Sequence, residues 1–183
     1  MRALITGGAG FIGSHLAEEL LERGYEISVL DDLSTGKISN IGHLESHQGF
    51  SFKTGSIMDE SLLSSLVERS DVIFHLAAVV GVKLMLEDLV KCIDTITHGT
   101  RLVLRHAAEK KKRVVFVSSS EVYGKNACIP FKEEDNLILG PTSCGRWSYG
   151  CAKLIGEFLA MAYWKEDGLP VLIVRLFNTV GPR

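Results

Sequence analysis

The chain has 183 residues, of which 46% are hydrophobic and 23% charged, and its net charge is −2 with a pI near 6.3. This length favours one domain, and the apolar fraction excludes a disordered chain. The lack of a basic excess argues against a nucleic acid partner, and no apolar run reaches the ~18 residues that span a membrane. The N-terminus has no signal-peptide pattern and the four cysteines form no CxxC pair, so we expect a cytoplasmic protein with free thiols and no metal site.

Short apolar runs alternate with longer helical patterns along the chain. Most of the runs are continuous rather than alternating, which is typical of strands that are buried on both faces of a sheet. The predicted strands are residues 3–6, 27–30, 50–53, 72–76, 114–118 and 171–176, and the predicted helices are about 11–23, 60–69, 87–109 and 148–166. This alternation predicts an α/β fold with a doubly wound parallel sheet and helices on both faces.

A glycine-rich turn joins the first predicted strand to the first helix. Gly7, Gly10 and Gly13 form a GxxGxxG pattern, with Phe11 and Ile12 at the start of the helix. Glycine permits a tight turn, close backbone approach to a pyrophosphate and close helix–strand packing, and the helix N-terminus attracts phosphates. A glycine triplet alone could be only a tight turn, but its place between strand and helix predicts a dinucleotide site.

Asp31 ends the second predicted strand, 18 residues after Gly13. A carboxylate at this position can accept hydrogen bonds from ribose hydroxyls and would repel a 2′-phosphate, so the sequence favours NAD over NADP. The alternative is that Asp31 or Asp32 only caps the turn at residues 34–36.

Tyr149 and Lys153 are four residues apart on the last predicted helix and therefore share a face. An ammonium held beside a tyrosine favours the phenolate, which would make a usable base of a group whose pKa is about 10. Gly156 and Ala160 share this face and leave room for close approach, whereas an apolar stripe lies on the other side of the helix. The alternative is a chance YxxxK spacing with a structural role.

The fifth predicted strand ends in three serines, Ser118, Ser119 and Ser120, followed by Glu121. Ligands of open α/β sheets bind at the carboxyl ends of the strands, so a hydroxyl here can polarise a substrate oxygen. The alternative is a serine-rich turn in which the hydroxyls only cap the backbone.

The motifs TGGAGFIGSHL, FHLAA, SSSEVYG, YGCAK and RLFNTVGPR follow one another and cover essentially the whole chain. Together they resemble the extended short-chain dehydrogenase/reductase family, and within it the NAD-dependent nucleotide-sugar epimerases, dehydratases and decarboxylases. The resemblance implies a Rossmann fold that binds NAD, a nucleoside-diphosphate sugar as substrate, and a cofactor contact from Leu76, Ala77 and Ala78.

The resemblance also implies a role for each polar site residue. Tyr149 would take the proton of the sugar hydroxyl, and Lys153 would bind the nicotinamide ribose and lower the pKa of Tyr149. Hydride would pass from the sugar C4 to NAD and return through a transient 4-keto sugar. Ser119 would be the catalytic hydroxyl, with Glu121 near the sugar. The implied substrate contacts are Ser119, Ser120 and Asn178.

Two positions depart from the family pattern. Ser56 stands where members usually carry an aspartate that contacts adenine, and Ile96 replaces an asparagine that supports the active-site region. Family members also usually continue well beyond this length, in a part that forms most of the sugar pocket. We therefore expect residues 1–183 to form the NAD-binding domain of a truncated protein that lacks its substrate domain and, in this form, sugar turnover.

Three functions remain open from the sequence. The first is a UDP-sugar 4-epimerase. The second is a UDP-glucuronate decarboxylase or sugar 4,6-dehydratase, and the third is a non-catalytic NAD-binding sensor or scaffold. Intact Ser119, Tyr149 and Lys153 favour an enzyme. The helices at 87–109 and 148–166 carry apolar residues beyond the sheet-facing side, and this family commonly pairs these helices, so we expect a homodimer. The alternative is that this surface packs within one chain.

Overall fold

The computed structural model describes residues 1–78 and 88–183. Every predicted element within these ranges is present, with bounds that agree to within two residues. Glu87, the first residue of the third predicted helix, lies outside the described residues. The elements are β1 (Arg2–Thr6), α1 (Phe11–Glu22), β2 (Glu26–Asp31), β3 (Phe50–Thr54), α2 (Glu60–Arg69), β4 (Val72–His75), α3 (Leu89–Glu109), β5 (Arg113–Ser119), α4 (Trp147–Asp167) and β6 (Val171–Leu176).

Six strands of the described residues form one parallel sheet in the order β3-β2-β1-β4-β5-β6. The chain leaves β1 for β2 on one side and later returns to place β4 on the other, so the topological switch point lies between β1 and β4. At this point Thr6 pairs in register with both Leu30 and His75. The predicted doubly wound α/β fold is confirmed.

Alternate residues of the strands enter two separate hydrophobic cores. Leu4, Ile73 and Phe116 are fully buried and pack beneath α2, α3 and α4. Ala3, Ile5 and Val29 point to the opposite face, where the buried side chains of α1 cover them. Because both faces of the central strands are covered, their sequences read as continuous apolar runs.

Helix α4 packs against the sheet through its small-residue face. Gly156 lies so close to β5 that an added Cβ would stand 2.6 Å from the Phe116 ring, and Ala160 is fully buried. The space that the small residues were predicted to leave is therefore filled by the sheet, next to the site. Phe158, on the opposite side of the helix, is 68% exposed, and Trp164, near the end of the helix, is 53% exposed.

The four cysteines are free thiols, with Cys92 buried and Cys128 and Cys144 exposed. Within residues 1–78 and 88–183, no group of three or more His, Cys, Asp or Glu side chains is arranged to hold a metal ion. Among the helices described, none combines the length and the hydropathy needed to cross a bilayer.

Candidate functional site

A cleft of about 460 Å³ opens at the carboxyl ends of the strands, across the switch point. It brings together residues that are far apart in the sequence, from the glycine turn to the segment after β6. Of the predicted site residues, the following line it: Gly7, Gly10, Phe11, Ile12, Gly13, Asp31, Leu76, Ala77, Ala78, Ser119, Tyr149, Lys153 and Asn178. Ser120 and Glu121 are not among the lining residues.

The glycine turn at the floor of the cleft has no room for side chains at two of its three positions. Gly7 has a φ of +74°, and an added Cβ would lie 2.8 Å from the amide nitrogen of Ala77. At Gly13 it would lie 2.3 Å from the carbonyl oxygen of Gly7, because α1 starts directly against the turn. Helix α1 begins after Gly10 without a side-chain cap, so its first N–H groups are available to an anion at the cleft.

Asp31 is 8% exposed and lies at the rim of the cleft, where β2 ends. One carboxylate oxygen accepts a hydrogen bond from the N–H of Ala9 at 2.9 Å, and the other accepts one from the N–H of Leu33 at 2.9 Å. Burial raises the pKa of Asp31, and the two backbone bonds act against that rise. Asp32 accepts from the N–H of Ser34, so both aspartates fix the turn after β2. Asp31 also keeps a spare lone pair on each oxygen for a ligand in the cleft, which Asp32 lines as well.

His75 anchors the end of β4 and was not predicted as a supporting residue. Its Nδ1 lies 2.8 Å from the Thr6 hydroxyl and its Nε2 lies 3.0 Å from the Thr100 hydroxyl, all in the buried core. Complete burial lowers the pKa of His75 to about 3, so the ring is neutral. The N–H of Ala77 in turn donates to the Thr6 hydroxyl at 3.4 Å. The signal in the sequence was the one polar residue inside an otherwise apolar run.

Lys153 is 2% exposed and enters the cleft from α4. Its ammonium donates to the carbonyl oxygen of Val117 at 2.7 Å and lies 5.2 Å from the centre of the Phe116 ring. Burial lowers the pKa of Lys153 to about 8, while Cys92 and Glu157 act in the opposite direction. The ammonium is thus attached to β5, two residues before Ser119.

Tyr149 and Ser119 meet in the cleft, as predicted, but the pKa of the tyrosine moves the other way. Burial raises the pKa of Tyr149, and this outweighs the hydrogen bond with Ser119 that lowers it; Cys92 and Glu121 raise it further. Lys153 is not among the groups that shift this pKa, so its predicted effect on Tyr149 stays a prediction. The ammonium of Lys153 is engaged by the Val117 carbonyl, and Tyr149 lies in a largely desolvated position.

Ser120 and Glu121 begin a short 3-10 helix, Ser120–Tyr123, that turns away from the cleft. The N–H of Glu121 donates to the Ser119 hydroxyl at 3.2 Å. The Glu121 carboxylate is exposed and lies 3.7 Å from the guanidinium of Arg146. The structure therefore places Glu121 at the edge of the site, close enough to influence the pKa of Tyr149.

Of the two departures from the family pattern, one lines the cleft and the other is buried behind Tyr149. Ser56 is a lining residue whose hydroxyl accepts from the N–H of Met58 at 3.2 Å. Ile96 is fully buried in a small cluster with Cys92 and Ala152, against which Tyr149 packs. An apolar wall behind the tyrosine thus occupies the place of the expected asparagine, which accounts for part of the desolvation of Tyr149.

The segment after β6 passes over the glycine turn and closes one side of the cleft. Gly181 lies against the ring of Phe11, and Nε2 of His15 lies 3.1 Å from the carbonyl oxygen of Pro182. Arg183 forms an ion pair with Glu18 of α1. Asn178, the predicted substrate contact in this segment, lines the cleft.

Comparison with known proteins identifies close relatives of two kinds. The chain is 47% identical to a UDP-N-acetyl-alpha-D-glucosaminuronate decarboxylase from Bacillus cytotoxicus over 182 residues. This match covers 100% of this chain and 56% of that protein. It is 35% identical to UDP-glucuronic acid decarboxylase 1 from Xenopus tropicalis, covering 100% of this chain and 42% of that protein. The chain spans about half the length of the curated relatives it matches.

Solved structures share the fold over the whole described site. A UDP-N-acetylglucosamine 4-epimerase from Methanobrevibacter ruminantium, in complex with UDP-N-acetylmuramic acid, matches with a TM-score of 0.90 at 28% identity, covering 100% of this chain and 56% of that one. A UDP-glucuronic acid 4-epimerase from Bacillus cereus, in complex with UDP-glucuronic acid and NAD, matches with a TM-score of 0.85 at 32% identity. This match covers 96% of this chain and 56% of that one.

The family model described as GDP-mannose 4,6 dehydratase matches residues 4–183, which is nearly the whole chain. This match agrees with the glycine turn, the strand order and the Ser119–Tyr149–Lys153 arrangement, and it confirms the family resemblance of the sequence motifs. The chain belongs to the GDP-mannose 4,6-dehydratase family, among the extended short-chain dehydrogenase/reductases.

Proposed function

We propose that this chain is the NAD-binding part of an enzyme that oxidises C4 of a nucleoside-diphosphate sugar and reduces it again after an intervening step. The observation that carries the proposal is one cleft that contains both a glycine turn suited to a pyrophosphate and the Ser119–Tyr149–Lys153 group. A sensor would need only the glycine turn. The relatives named above, which include decarboxylases and 4-epimerases of UDP-sugars, support the same reading.

The residues that line the cleft fit NAD. Gly7 and Gly13 leave the backbone bare where a Cβ would block the turn, and the N-terminus of α1 points at the same place. Asp31 supplies carboxylate oxygens for the adenosine ribose hydroxyls, and Lys153 supplies an ammonium for the nicotinamide ribose. When bound, NAD would accept the hydride from the sugar C4 and later return it.

Proton transfer at the sugar C4 hydroxyl falls to Tyr149. A tyrosine with its ordinary pKa of about 10 is protonated at neutral pH, and burial raises the pKa of Tyr149 further, so the phenol must lose this proton before it can act as a base. The hydrogen bond from Ser119 favours the phenolate, and the Ser119 hydroxyl is also placed to hold the sugar oxygen. Lys153 contributes a positive charge that is retained up to a pH of about 8.

The reaction that follows the oxidation separates the candidate functions. A UDP-sugar 4-epimerase was predicted first from the sequence, and two of the structural neighbours are 4-epimerases. The 47% identity to a UDP-N-acetylglucosaminuronate decarboxylase favours decarboxylation of a UDP-uronate as the second candidate.

The experiment uses a protein that contains this chain together with the remaining length found in its relatives. UDP-glucose, UDP-galactose, UDP-glucuronate and UDP-N-acetylglucosaminuronate are supplied separately with NAD, and products and released CO2 are measured. Release of CO2 from a uronate identifies a decarboxylase, and interconversion of the neutral sugars without CO2 identifies a 4-epimerase. NAD binding without turnover of any nucleotide sugar would contradict the proposal and favour the sensor.

We further propose that two copies pair through α3 and α4. These helices pack side by side and leave a row of apolar side chains exposed: Val90 (74%), Ile93 (39%), Phe158 (68%), Met161 (47%) and Trp164 (53%). A surface of this kind on neighbouring helices is typical of a subunit interface, and a second copy would cover it with a four-helix bundle. Sedimentation at micromolar concentration tests this, and a monomer would contradict it.

A further inference from the structure

A buried ion pair joins three elements directly behind the cleft. Glu157 lies one helical turn after Lys153 on α4 and is 6% exposed. Its carboxylate accepts from Arg175 of β6, with Nη2 at 2.7 Å and Nε at 3.0 Å, and from the Ser118 hydroxyl of β5 at 2.5 Å. The network therefore connects α4, β5 and β6, and it belongs to neither the cofactor contacts nor the Ser119–Tyr149–Lys153 group.

Arg175 holds the carboxylate in place from outside the cleft. Its Nη1 donates to the carbonyl oxygen of Glu133 at 3.1 Å, and its guanidinium lies 4.9 Å from the centre of the Tyr123 ring. All three guanidinium nitrogens of Arg175 thus donate hydrogen bonds, Nε and Nη2 to Glu157 and Nη1 to Glu133. A bidentate pair of this kind fixes orientation as well as distance.

Two hydrogen bonds, one helical turn apart on α4, join this helix to consecutive residues of β5. Lys153 bonds to the carbonyl of Val117, and Glu157 bonds to the side chain of Ser118, the residue before Ser119. A shift of α4 along β5 would break both bonds together and would separate Tyr149 from Ser119. The alignment of the catalytic group therefore depends on where Glu157 holds the helix.

We infer that Glu157, fixed by Arg175, is a positioning residue that sets the register of α4 on β5 and holds Lys153 beside Ser119 and Tyr149 in the cleft. The inference rests on the proposed function, because it assigns Glu157 a purpose in NAD binding and proton transfer. It goes beyond stability alone, since a merely structural ion pair has no need to influence the protonation of Lys153.

Other ionisable groups also face Lys153. Tyr149 lies one turn before it on α4, Cys92 faces it from α3, and His75 lies on β4. His75 is neutral, since its pKa is lowered to about 3, and burial raises the pKa of the Cys92 thiol above its ordinary value. The carboxylate of Glu157 is therefore the group on α4 whose negative charge opposes the desolvation of Lys153 near pH 8.

The test measures the protonation of Lys153 without relying on NAD. The 183-residue protein is labelled briefly with acetic anhydride at a series of pH values, and acetylation of the Lys153 peptide is followed by mass spectrometry, with a midpoint expected near the pKa of about 8. In Glu157→Gln the midpoint should fall by about one pH unit, since a unit charge about one helical turn away is lost. The matched control is Glu166→Gln, an exposed carboxylate on the same helix, which should leave the midpoint unchanged.

An unchanged midpoint in folded Glu157→Gln would overturn the inference. If this variant does not fold, Arg175→Lys decides instead, because it keeps the charge balance but loses the bidentate bond. The midpoint of Lys153 acetylation should then fall by about half a pH unit. An unchanged midpoint in this variant would also overturn the inference. NAD affinity is measured in parallel by calorimetry and should drop about twofold at pH 7 in Glu157→Gln, because a midpoint near 7 leaves about half of the Lys153 side chains charged. The two proposals can fail separately. If the labelling midpoint falls in the variants but the wild-type protein does not bind NAD, the proposed function is contradicted and the positioning of Lys153 is still supported.

Discussion

Lys153 donates its ammonium proton to the carbonyl oxygen of Val117, across a distance of 2.7 Å. This one bond attaches α4 to the end of β5 at the point where the strand delivers Ser119 to the cleft. A charged donor on a main-chain carbonyl in a desolvated site is a strong interaction, and it accounts for the almost complete burial of an ammonium group.

The lowered pKa of Lys153 predicts a stability that increases with pH above neutrality. Between about pH 8, the folded value, and about 10.5, the ordinary value, the unfolded chain holds a proton that the folded protein has lost. The free energy of unfolding therefore rises with pH in this range. Relative to Lys153→Met, the wild type should gain roughly 1–2 kcal/mol between pH 8 and pH 9.5 in urea titrations.

The control for this comparison is Lys165→Met, which removes an exposed lysine from the same helix. It should follow the wild type at both pH values. Parallel curves for the wild type and Lys153→Met would show that Lys153 does not have a lowered pKa in the folded protein.

The buried neutral ring of His75 predicts a loss of stability in acid. Its pKa is lowered from 6.5 to about 3, so below pH 6.5 the unfolded chain binds a proton that the folded protein excludes. Stability should therefore fall as the pH decreases from 6.5 towards 3, by about 1.4 kcal/mol for each pH unit well below 6.5. Denaturant unfolding at pH 7, 6 and 5 measures it. His75→Gln should be less stable at pH 7 but flatter with pH, whereas His47→Gln, at an exposed position, should keep the slope of the wild type.

The carboxylate of Asp31 predicts that NAD binds at least tenfold more tightly than NADP. Asp31 is held rigidly by the N–H groups of Ala9 and Leu33, so it cannot turn away from a 2′-phosphate, and two negative charges would face each other. Calorimetry with both cofactors on the 183-residue protein measures the ratio. Equal affinities would remove Asp31 from the cofactor site.

Ser56 predicts a gain of affinity on substitution. The family pattern places an aspartate here against adenine, and a carboxylate accepts a hydrogen bond from an amino group more strongly than a hydroxyl does. Ser56 lines the cleft, so Ser56→Asp should tighten NAD binding by about three- to tenfold. Ser61→Asp, an exposed position at the start of α2, should leave the affinity unchanged. Weaker binding in Ser56→Asp would mean that the adenine lies elsewhere.

The sequence predicted the strands and the cleft well for a physical reason. Strands buried on both faces must be apolar throughout, and residues at strand ends meet at one edge of a parallel sheet, so Asp31 and Ser119 could be brought together without coordinates. The packing face of α4 could not be predicted in the same way. Gly156 and Phe158 differ in size, but only the contact with Phe116 shows which one faces the sheet.

The pKa shifts and hydrogen bonds of the site could not be predicted from the sequence either. A YxxxK spacing shows that Tyr149 and Lys153 are neighbours, but the pKa of each depends on how much solvent the folded protein removes. The bond from Lys153 to a main-chain carbonyl leaves no trace in the side-chain pattern. The pair formed by Glu157 and Arg175 joins positions 18 residues apart, on a helix and the next strand.

Tyr149→Phe tests the proposed chemistry most directly. The substitution removes the titrating hydroxyl and keeps the ring against Ile96 and Ala152, so the fold and the cofactor contacts should persist. In a protein that turns over a nucleotide sugar, the rate should fall by 10²-fold or more, in line with general-base contributions of about 10²–10⁴. NAD affinity should change by less than about twofold, because the ring and Lys153 remain in place. The matched control is Tyr163→Phe, which deletes a hydroxyl from the same helix outside the cleft and should keep full turnover. If Tyr149→Phe retained activity, the base would have to be another group at the carboxyl ends of the strands, and the assignment of Tyr149 would be wrong.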